Sequence, residues 1–498
     1  MLSGAGAMAA LDSRTPRSNR KGHLGGLLQA ATYVTGLSGG SWLLTSMYMN
    51  QFASIEQLVN SKQVWNLKEH LLLPHDPLQF WGLLFDQVGR KEQAGFQVTL
   101  TDFWSRALAL KLIGYPEGGP ALQWSDIKRW VYFREHQCPF PIVVADGREP
   151  GTIIISENST VFEITPFELG SYDPGLFAFA NLEYLGTSLD NGKPAVTEQA
   201  VTGFDNAAFI AGTSSSLFNQ LVVILSRDDT HIGMKLFNIF NNLFNQTNFD
   251  IAAYKPNPFY NYQNEPLPPS LRPSKIPSQK LLALVDGGED GQNIPLQPLL
   301  HPERKVDVIF AFDNSADTDD NWPNATSLVN TYLRQVWYDG KFNIGATFSK
   351  VPDSDEFISS GLSKKPTFFG CYEDAKDGER KSPLIVYMPN YSYSYLSNKS
   401  TFKLDYSDAE IRAMINNGYN LATQLNGTID EDWPTCVACA ILKRKMERTD
   451  TESVKCSRCF DKYCWKERNA TRSHIVSSAK HHTHKSKIIE KLITLKSL

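Results

Sequence analysis

Short apolar runs alternate along the chain with longer stretches in which hydrophobic positions have a helical spacing. Runs of a few residues that end in glycine, proline or aspartate are typical of buried strands. Strands that alternate with helices in this way predict an α/β fold. The runs assigned to strands are residues 30–35, 142–146, 152–155, 281–285 and 306–312, the second and third being predicted partners. The first eleven residues have the composition of a small-residue helix that packs closely on a neighbour.

The strand predicted over residues 30–35 leads into Gly36-Leu37-Ser38-Gly39-Gly40-Ser41-Trp42, and residues 43–49 then have the pattern of a helix. A serine in a sharp strand-to-helix turn, with glycines at positions −2, +1 and +2, is the pattern of a nucleophile elbow. The glycines permit the turn, because a Cβ beside the nucleophile would clash. Ser38 is therefore the candidate nucleophile of a serine hydrolase. The plainer alternative is a Gly-Ser loop, since short matches of this type occur by chance.

An aspartate stands at the end of the strand predicted over residues 281–285, and two glycines follow it directly. The carboxyl ends of core strands are where the active sites of α/β sheets open. Asp286 is thus the candidate base that takes the proton of Ser38. The alternative is an ordinary turn at a strand end, where Asp-Gly is common.

A histidine follows Asp286 in the chain and completes the order Ser38, Asp286, His301. This is the order of the catalytic triad in α/β-hydrolases, so a Ser-His-Asp esterase is a second hypothesis. His301 stands in a charged turn with Glu303 and Arg304, for which exposure at the surface is the simpler expectation.

Composition narrows the class of protein without giving a function. The 498 residues carry a net charge of −4, so no excess of basic charge indicates a nucleic-acid partner. Hydrophobic residues make up 42% of the chain, which suits a globular core. No run of about 18 apolar residues predicts a membrane-spanning helix, and the first residues lack the basic and apolar regions of a secretory signal.

Cysteine spacing leaves two interpretations open. Four of the seven cysteines form two C-x₂-C pairs separated by sixteen residues, namely Cys436, Cys439, Cys456 and Cys459. This spacing fits a four-thiolate zinc ribbon. In an oxidising compartment the same thiols would form disulfides. The other cysteines are Cys138, Cys371 and Cys464, and the odd total leaves one thiol free or paired with another chain.

Glycosylation sequons favour a secreted or cell-surface protein, which argues against zinc but does not settle how the cysteines pair. Their number is about twice that expected by chance in a chain of this size, and most fall in predicted turns. The asparagines concerned are Asn158, Asn245, Asn324, Asn390, Asn398, Asn426 and Asn469.

The last residues of the chain differ in composition from the rest. Residues 466–498 are rich in Lys, Arg and His, and their isoleucines and leucines have a short amphipathic pattern. Such a segment can contact anionic lipid, and a disordered tail without this role is the equal alternative.

Taken together, several of these stretches resemble the fungal phospholipase B family, also called lysophospholipases, which shares its catalytic fold with cytosolic phospholipases. The resemblance extends over about residues 2–465. The matching stretches are residues 22–28, 36–42, 168–174, 203–217, 285–290, 292–295, 322–324, 389–391 and 433–436.

This resemblance implies an α/β catalytic domain over residues 1–465, with a mixed central sheet, helices on both faces and a nucleophile elbow, and a basic tail over residues 466–498. It implies a dyad without histidine, in which Ser38 is the nucleophile, Asp286 the general base and the Gly39 N–H an oxyanion donor. The implied reaction releases fatty acid from lysophospholipids and phospholipids at a membrane or micelle surface. The resemblance implies no metal, organic cofactor or nucleic-acid partner, and it implies a secreted or cell-surface location.

One departure from the family bears on activity. The family has a Ser-Gly-Gly-Gly-x-Arg stretch, after a core strand, just before the point at which this sequence starts. We therefore expect residues 1–465 to lack the family's N-terminal strand and oxyanion loop. Loss of one oxyanion donor lowers turnover by about 10²–10³-fold, so an inactive lipid-binding paralogue is a third hypothesis.

Overall fold

The structure is a computed structural model that describes residues 1–61, 63–72, 74–152, 155–218, 250–263, 274–336, 347–373, 381–451 and 453–467. Its helices are α1 (Leu2–Leu11), α2 (Leu27–Ala30), α3 (Gly39–Met49), α4 (Ile55–Asn60), α5 (Pro77–Gln93), α6 (Leu100–Leu112), α7 (Val131–Arg134), α8 (Ala207–Thr213), α9 (Gln297–Leu300), α10 (Thr326–Val336), α11 (Ser354–Ser359), α12 (Asp408–Thr423), α13 (Trp433–Thr449) and α14 (Val454–Tyr463).

The strands are β1 (Tyr33–Gly36), β2 (Phe140–Arg148), β3 (Val161–Ile164), β4 (Glu168–Ser171), β5 (Ala178–Asn181), β6 (Leu189–Asp190), β7 (Lys193–Pro194), β8 (Ala252–Tyr254), β9 (Leu282–Asp286), β10 (Val308–Asp313), β11 (Thr367–Phe369) and β12 (Leu384–Pro389). Within the described ranges they form a seven-stranded sheet, a three-stranded sheet and a hairpin of β6 and β7. The order of the large sheet is β5-β4-β3-β2-β9-β8, with β1 also on β2, and the order of the small sheet is β10-β12-β11.

Strand β2 organises the large sheet because it pairs along both edges. On one edge lies β3, which runs antiparallel to it. On the other edge, β1 runs parallel to β2 and ends with Gly36 opposite Val143. Further along this edge, β9 runs antiparallel and ends with Asp286 opposite Ala145. The carboxyl ends of β1 and β9 therefore point at each other, separated by two residue steps of β2, or about 7 Å.

The α/β class predicted from the sequence is confirmed, and most predicted strands are present with shifted ends. Residues 142–146 and 306–312 correspond to β2 and β10, and residues 281–285 correspond to β9. Strand β1 begins later than predicted because residues 27–30 form α2. The strand predicted at residues 152–155 as the partner of β2 includes residues 153–154, which lie outside the described ranges. Among the described residues, the strand hydrogen-bonded at that edge is β3.

Helix α1 lies very close to α12. A Cβ added to Gly6 would lie 2.0 Å from the Ile415 carbonyl oxygen, and one added to Gly418 would lie 2.0 Å from the Ser3 carbonyl oxygen. Glycine is needed at both positions, because any side chain would push the two backbones apart. The prediction of a small-residue helix that packs closely on a neighbour is confirmed.

The C-terminal cysteines form disulfides, so the zinc-ribbon hypothesis is wrong. The pairs are Cys371–Cys464, Cys436–Cys459 and Cys439–Cys456. The second and third pairs join α13 to α14, and the first joins the segment after β11 to the residue that follows α14. The sulfurs that would bind the metal are therefore already bonded to each other. Cys138 is a buried free thiol.

The sequons differ in their accessibility. Asn426 is exposed, whereas the Asn390 side chain is buried and accepts a hydrogen bond from Ser397 Oγ at 2.7 Å. Asn390 is thus excluded as a glycan acceptor in the folded protein. Asn245 and Asn469 lie outside the described residues.

Residues up to Cys464 belong to one compact unit. The amphipathic pattern predicted for the basic tail falls on residues 468–498, outside the described residues. In the part of the chain that the structure describes, none of the helices has the length and apolarity needed to cross a membrane.

Candidate active site

Ser38 occupies the turn between β1 and α3 in a conformation that side-chain-bearing residues rarely adopt. Its backbone angles are φ 49° and ψ −123°. Such a conformation costs about 1–3 kcal/mol and persists only where the surroundings enforce it. Here the Ser38 N–H donates to the carbonyl oxygen of Ser214 at 2.9 Å, and the Ser41 hydroxyl donates to the carbonyl oxygen of Ser38 at 2.6 Å. The turn is thus held by hydrogen bonds on both sides of the serine.

Close packing requires a glycine at position 36, two residues before Ser38. A Cβ at Gly36 would lie 2.8 Å from the carbonyl carbon and oxygen of Gly40, closer than real Cβ contacts allow. Helix α3 begins at Gly39, whose N–H is among the first four of the helix and has no carbonyl partner within it. These N–H groups and the positive end of the helix dipole lie next to Ser38.

The strand register brings Asp286 to Ser38. Gly36 and Asp286 lie opposite Val143 and Ala145 of β2, and Ser38 follows Gly36 by two residues. The intervening carbonyl oxygen, that of Val144, accepts a hydrogen bond from the Ser214 hydroxyl at 2.6 Å. Ser214 therefore braces the point at which the two strand ends meet.

Burial dominates the electrostatics of Asp286. It raises the pKa of this carboxyl to about 7, although hydrogen bonding by the Ser38 hydroxyl and the Gly288 N–H opposes the rise. Oδ1 accepts from the Gly288 N–H at 2.8 Å. Oδ2 is buried without a well-formed hydrogen bond in the described residues, and the Ser38 hydroxyl is close enough to affect the pKa. The negative charge of Asp290 raises the pKa further. The pair is thus a hydroxyl next to a carboxylate that lacks a strong partner.

Ser38, Gly39 and Asp286 line a cavity of about 1010 Å³. This volume is at the upper end of the range of about 300–1,000 Å³ that is common for small-molecule sites. Many other lining residues are apolar and come from α3, α6 and β10, among them Trp42, Leu43, Leu44, Leu108, Leu112, Phe310 and Phe312. The cavity suits a ligand with a long hydrocarbon chain.

His301 does not have the contacts of a triad histidine. Its ring is buried and stacks on Tyr172 with the ring centroids 3.8 Å apart. Neither ring nitrogen has a hydrogen-bond partner among the described residues, whereas a triad histidine would contact both a serine and a carboxylate. Burial, followed by the charge of Arg304, lowers its pKa. The expectation that His301 is exposed is wrong, because Tyr172 covers its ring.

Sequence reasoning missed Ser214, whose hydrogen bonds hold the two strand ends together, and the charged groups behind Asp286. Thr213 is the last residue of α8, and Ser214, Ser215 and Ser216 follow it directly. Asp146, Asp290 and Arg334 form a buried cluster behind Asp286. The one local signal for the cluster is Asp146, an aspartate inside the apolar run of β2. Asp290 and Arg334 could not be assigned to it, because they are far away in the sequence.

The arrangement of strands and helices belongs to a known fold class. Human GIVD cytosolic phospholipase A2 is similar to 89% of this chain with a TM-score of 0.61, at 16% sequence identity. The chain spans 58% of the length of that protein. At this identity the likeness shows the fold alone, which is the α/β fold of that phospholipase.

Sequence similarity gives the family. The family model described as the lysophospholipase catalytic domain matches residues 1–470. A lysophospholipase of Penicillium chrysogenum is 47% identical over 479 residues, covering 93% of this chain and 76% of the relative. Lysophospholipase 1 of Saccharomyces cerevisiae is 46% identical over 483 residues, covering 93% of this chain and 71% of the relative. The chain belongs to the lysophospholipase catalytic-domain family, a family of carboxylic ester hydrolases, as its sequence motifs predict.

Proposed function

We propose that the protein is a lysophospholipase in which Ser38 attacks the fatty-acyl ester and Asp286 acts as general base. The observation that carries this proposal is the convergence of β1 and β9, which puts a strained serine next to a buried carboxyl at an apolar cavity. The names of the fungal relatives support the substrate class. We also propose that the central sheet is of the mixed type found in this catalytic fold and that the turn at Ser38 is a nucleophile elbow.

The chemistry needs only the two side chains and water. Ser38 Oγ forms a bond to the acyl carbon while its proton passes to Asp286. The ester C–O bond then breaks, and Asp286 returns the proton to the departing glycerol oxygen. A water molecule next gives a proton to Asp286 and attacks the acyl-serine. The bond between the acyl carbon and Oγ breaks, Asp286 returns its proton to Ser38 Oγ, and the fatty acid leaves. A pKa of about 7 suits a group that both accepts and returns a proton near neutral pH.

The developing oxyanion needs hydrogen-bond donors. We assign one to the Gly39 N–H, because the residue after the nucleophile supplies a donor in serine hydrolases with an elbow. The dipole of α3 points its positive end at the same place and adds to the effect.

The cavity and the disulfides support the substrate and the location. An apolar wall beside Ser38 fits an acyl chain, and the substrate would reach it from a micelle or a membrane surface. Three disulfides and an exposed sequon at Asn426 fit an oxidising route, so we propose a secreted or cell-surface location.

Release of fatty acid from lysophosphatidylcholine tests the proposal. We expect Ser38→Ala and Asp286→Ala to lower the rate by at least about 10³-fold. Ser359→Ala, an exposed serine on α11, is the matched control and should leave the rate unchanged. The wild-type rate should rise with pH through about 7, because the base must be ionised. Binding of lysophospholipid micelles without any release by the wild type would instead support an inactive lipid-binding protein.

A further inference from the structure

The turn that carries Asp286 is tied to a buried aspartate four residues later. The Asp290 N–H donates to Asp146 Oδ2 on β2 at 3.1 Å. The Asp290 carboxylate accepts from the backbone N–H of Gln292 at 2.8 Å and from the Gln292 side-chain amide. Asp290 thus connects the turn after β9 to the strand on which β1 and β9 meet.

Arg334 of α10 reaches the same aspartate from another direction. Its guanidinium donates to Asp173 Oδ2 at 2.7 Å and to the carbonyl oxygens of Glu157 and Ser159, both at 2.9 Å. Its Nη1 lies 3.8 Å from Asp290 Oδ2. One buried cation therefore connects α10, the segment before β3, the segment after β4 and the turn after β9.

The charges in this cluster do not balance if every carboxyl is ionised. Three carboxyl groups, those of Asp146, Asp173 and Asp290, face one guanidinium. Burial raises the pKa of Asp146 well above its usual value, and its Oδ1 has no partner among the described residues. Burial also raises the pKa of Asp290, but Arg334 and Gln292 oppose that rise. The unpartnered Oδ1 makes Asp146 the better site for a proton, whereas the N–H donors of Gln292 and the guanidinium of Arg334 favour the ionised form of Asp290.

We propose that Asp290 is a positioning residue for the active site: held by Gln292 and Arg334, it fixes the turn that carries Asp286 and supplies a negative charge that makes Asp286 a stronger base. This inference rests on the proposed function of Ser38 and Asp286. Its basis is the geometry of the turn. The Asp290 N–H is bound to Asp146, Oδ1 to the backbone of Gln292, and Oδ2 to the Gln292 side chain, with Arg334 nearby.

The expected effect has a definite sign. A negative charge near Asp286 disfavours its ionised form and so raises its pKa. The groups near Asp286 are Asp290 on its own turn, Asp146 on β2 and the Ser38 hydroxyl before α3, while Arg334 and Asp173 lie behind Asp290. Removal of the Asp290 charge should lower the pKa of Asp286 and weaken it as a base.

The first experiment is the pH profile of kcat/KM for lysophosphatidylcholine. We expect Asp290→Asn to shift the acid limb to lower pH by about one unit and to lower the plateau several-fold. Asp173→Asn is the matched control, since it removes a carboxylate from the same guanidinium without touching the turn. Its acid limb should stay at the wild-type pH, while Asp290→Glu should restore the wild-type profile. An acid limb at the wild-type pH in Asp290→Asn would overturn the proposal, because a purely structural role changes stability without moving the profile.

Three further measurements cover failure to fold and failure of the proposed function. If Asp290→Asn does not fold, Gln292→Met should shift the acid limb in the same direction by a smaller amount, because the Asp290 charge loses a donor. No shift in that variant would also overturn the proposal.

The rate of covalent labelling by a long-chain alkyl fluorophosphonate, followed against pH, should show the same shifts. If Ser38→Ala retains hydrolysis, the proposed function itself fails. If Ser38→Ala is inactive while the acid limb is the same in every Asp290 variant, only the present inference fails.

Discussion

The active-site turn and the C-terminal helix pair, α13 and α14, differ in how well their polar groups and backbone are satisfied. At the turn, Ser38 has a positive φ and Asp286 is a buried carboxyl with one weakly satisfied oxygen. In the helix pair, the disulfides Cys436–Cys459 and Cys439–Cys456 join α13 to α14, and the Trp433 indole donates to the Ala422 carbonyl oxygen at 2.8 Å. The turn holds a strained backbone and a poorly hydrogen-bonded carboxyl. The helix pair has bonded cysteines and a hydrogen-bonded indole.

The difference shows where this fold places its strain. Strained backbone and unpaired charge persist when the rest of the structure is stable enough to enforce them, and they concentrate at functional sites. Covalent links and buried aromatic contacts supply part of that stability at the other end of the chain. Substitutions in the helix pair should therefore change the stability of the protein. Substitutions at the turn should change the rate of hydrolysis, and one of them, Asp286→Asn, should also increase stability.

The largest expected effect comes from breaking the covalent links. Replacing Cys436 and Cys459 by alanine should lower the free energy of unfolding by about 2–5 kcal/mol. The rate of fatty-acid release per folded molecule should stay close to the wild-type rate, because neither cysteine lines the cavity at Ser38. Denaturant unfolding and hydrolysis at low temperature measure the two quantities.

Cys138→Ala is the control for this variant, since Cys138 is buried but forms no disulfide. Its loss of stability should be smaller, because only a small buried side chain is truncated. A chelator should not change the melting temperature of the wild type. Chelator-dependent melting would contradict the disulfide assignment and return the zinc interpretation.

The next effect has the opposite sign. Asp286 has a folded-state pKa of about 7, against an ordinary value of 3.8. The folded protein therefore holds a proton that the unfolded chain has already lost, so stability falls as pH rises from about 4 to about 7 and stays lower above that. Asp286→Asn removes this penalty and should stabilise the protein at pH 8 by at most about 4 kcal/mol while abolishing hydrolysis.

Unfolding curves at pH 5 and pH 8 check this prediction. The gain over wild type should be larger at pH 8 than at pH 5. Asp319→Asn, at an exposed position, should show no such difference. An equal or lower stability of Asp286→Asn at pH 8 would mean that the buried carboxylate is not the source of strain.

A smaller effect is expected at the glycine before the nucleophile. A Cβ at Gly36 would meet the Gly40 carbonyl group at 2.8 Å, so Gly36→Ala should force β1 and α3 apart. We expect a loss of about 1–3 kcal/mol in stability and a loss of activity larger than this instability explains. Gly82→Ala on α5 is the control, because no atom lies within 4 Å of its added Cβ. Equal activity of the two variants would show that the turn tolerates displacement.

The two residues that we propose for the site, Ser38 and Asp286, are each marked by a local pattern in the sequence. The glycines around Ser38 and the strand that ends at Asp286 are patterns that a few neighbouring residues define. The α/β class follows from the same short-range signals. The register that brings β1 and β9 together on β2 was not predictable, because it depends on pairings between residues more than a hundred positions apart.

The errors have physical causes of the same kind. His301 stands in a charged segment that is typical of a surface, but Tyr172, far away in the chain, covers its ring. The C-x₂-C spacing is compatible with both zinc and disulfides, and the choice depends on how α13 and α14 pack. Asp290 looks like one more turn residue until Arg334 is placed beside it.

The smallest expected effect separates the dyad from the triad. His301→Asn should change the rate of fatty-acid release by less than about threefold, since neither ring nitrogen bonds to a polar group in the described residues. The loss of the stack on Tyr172 should lower stability by about 1 kcal/mol. Hydrolysis assays and thermal unfolding of the same preparation measure both. A fall in rate as large as that of Asp286→Ala would favour the triad, because a buried histidine that only fills space has no means of slowing acyl transfer by that factor.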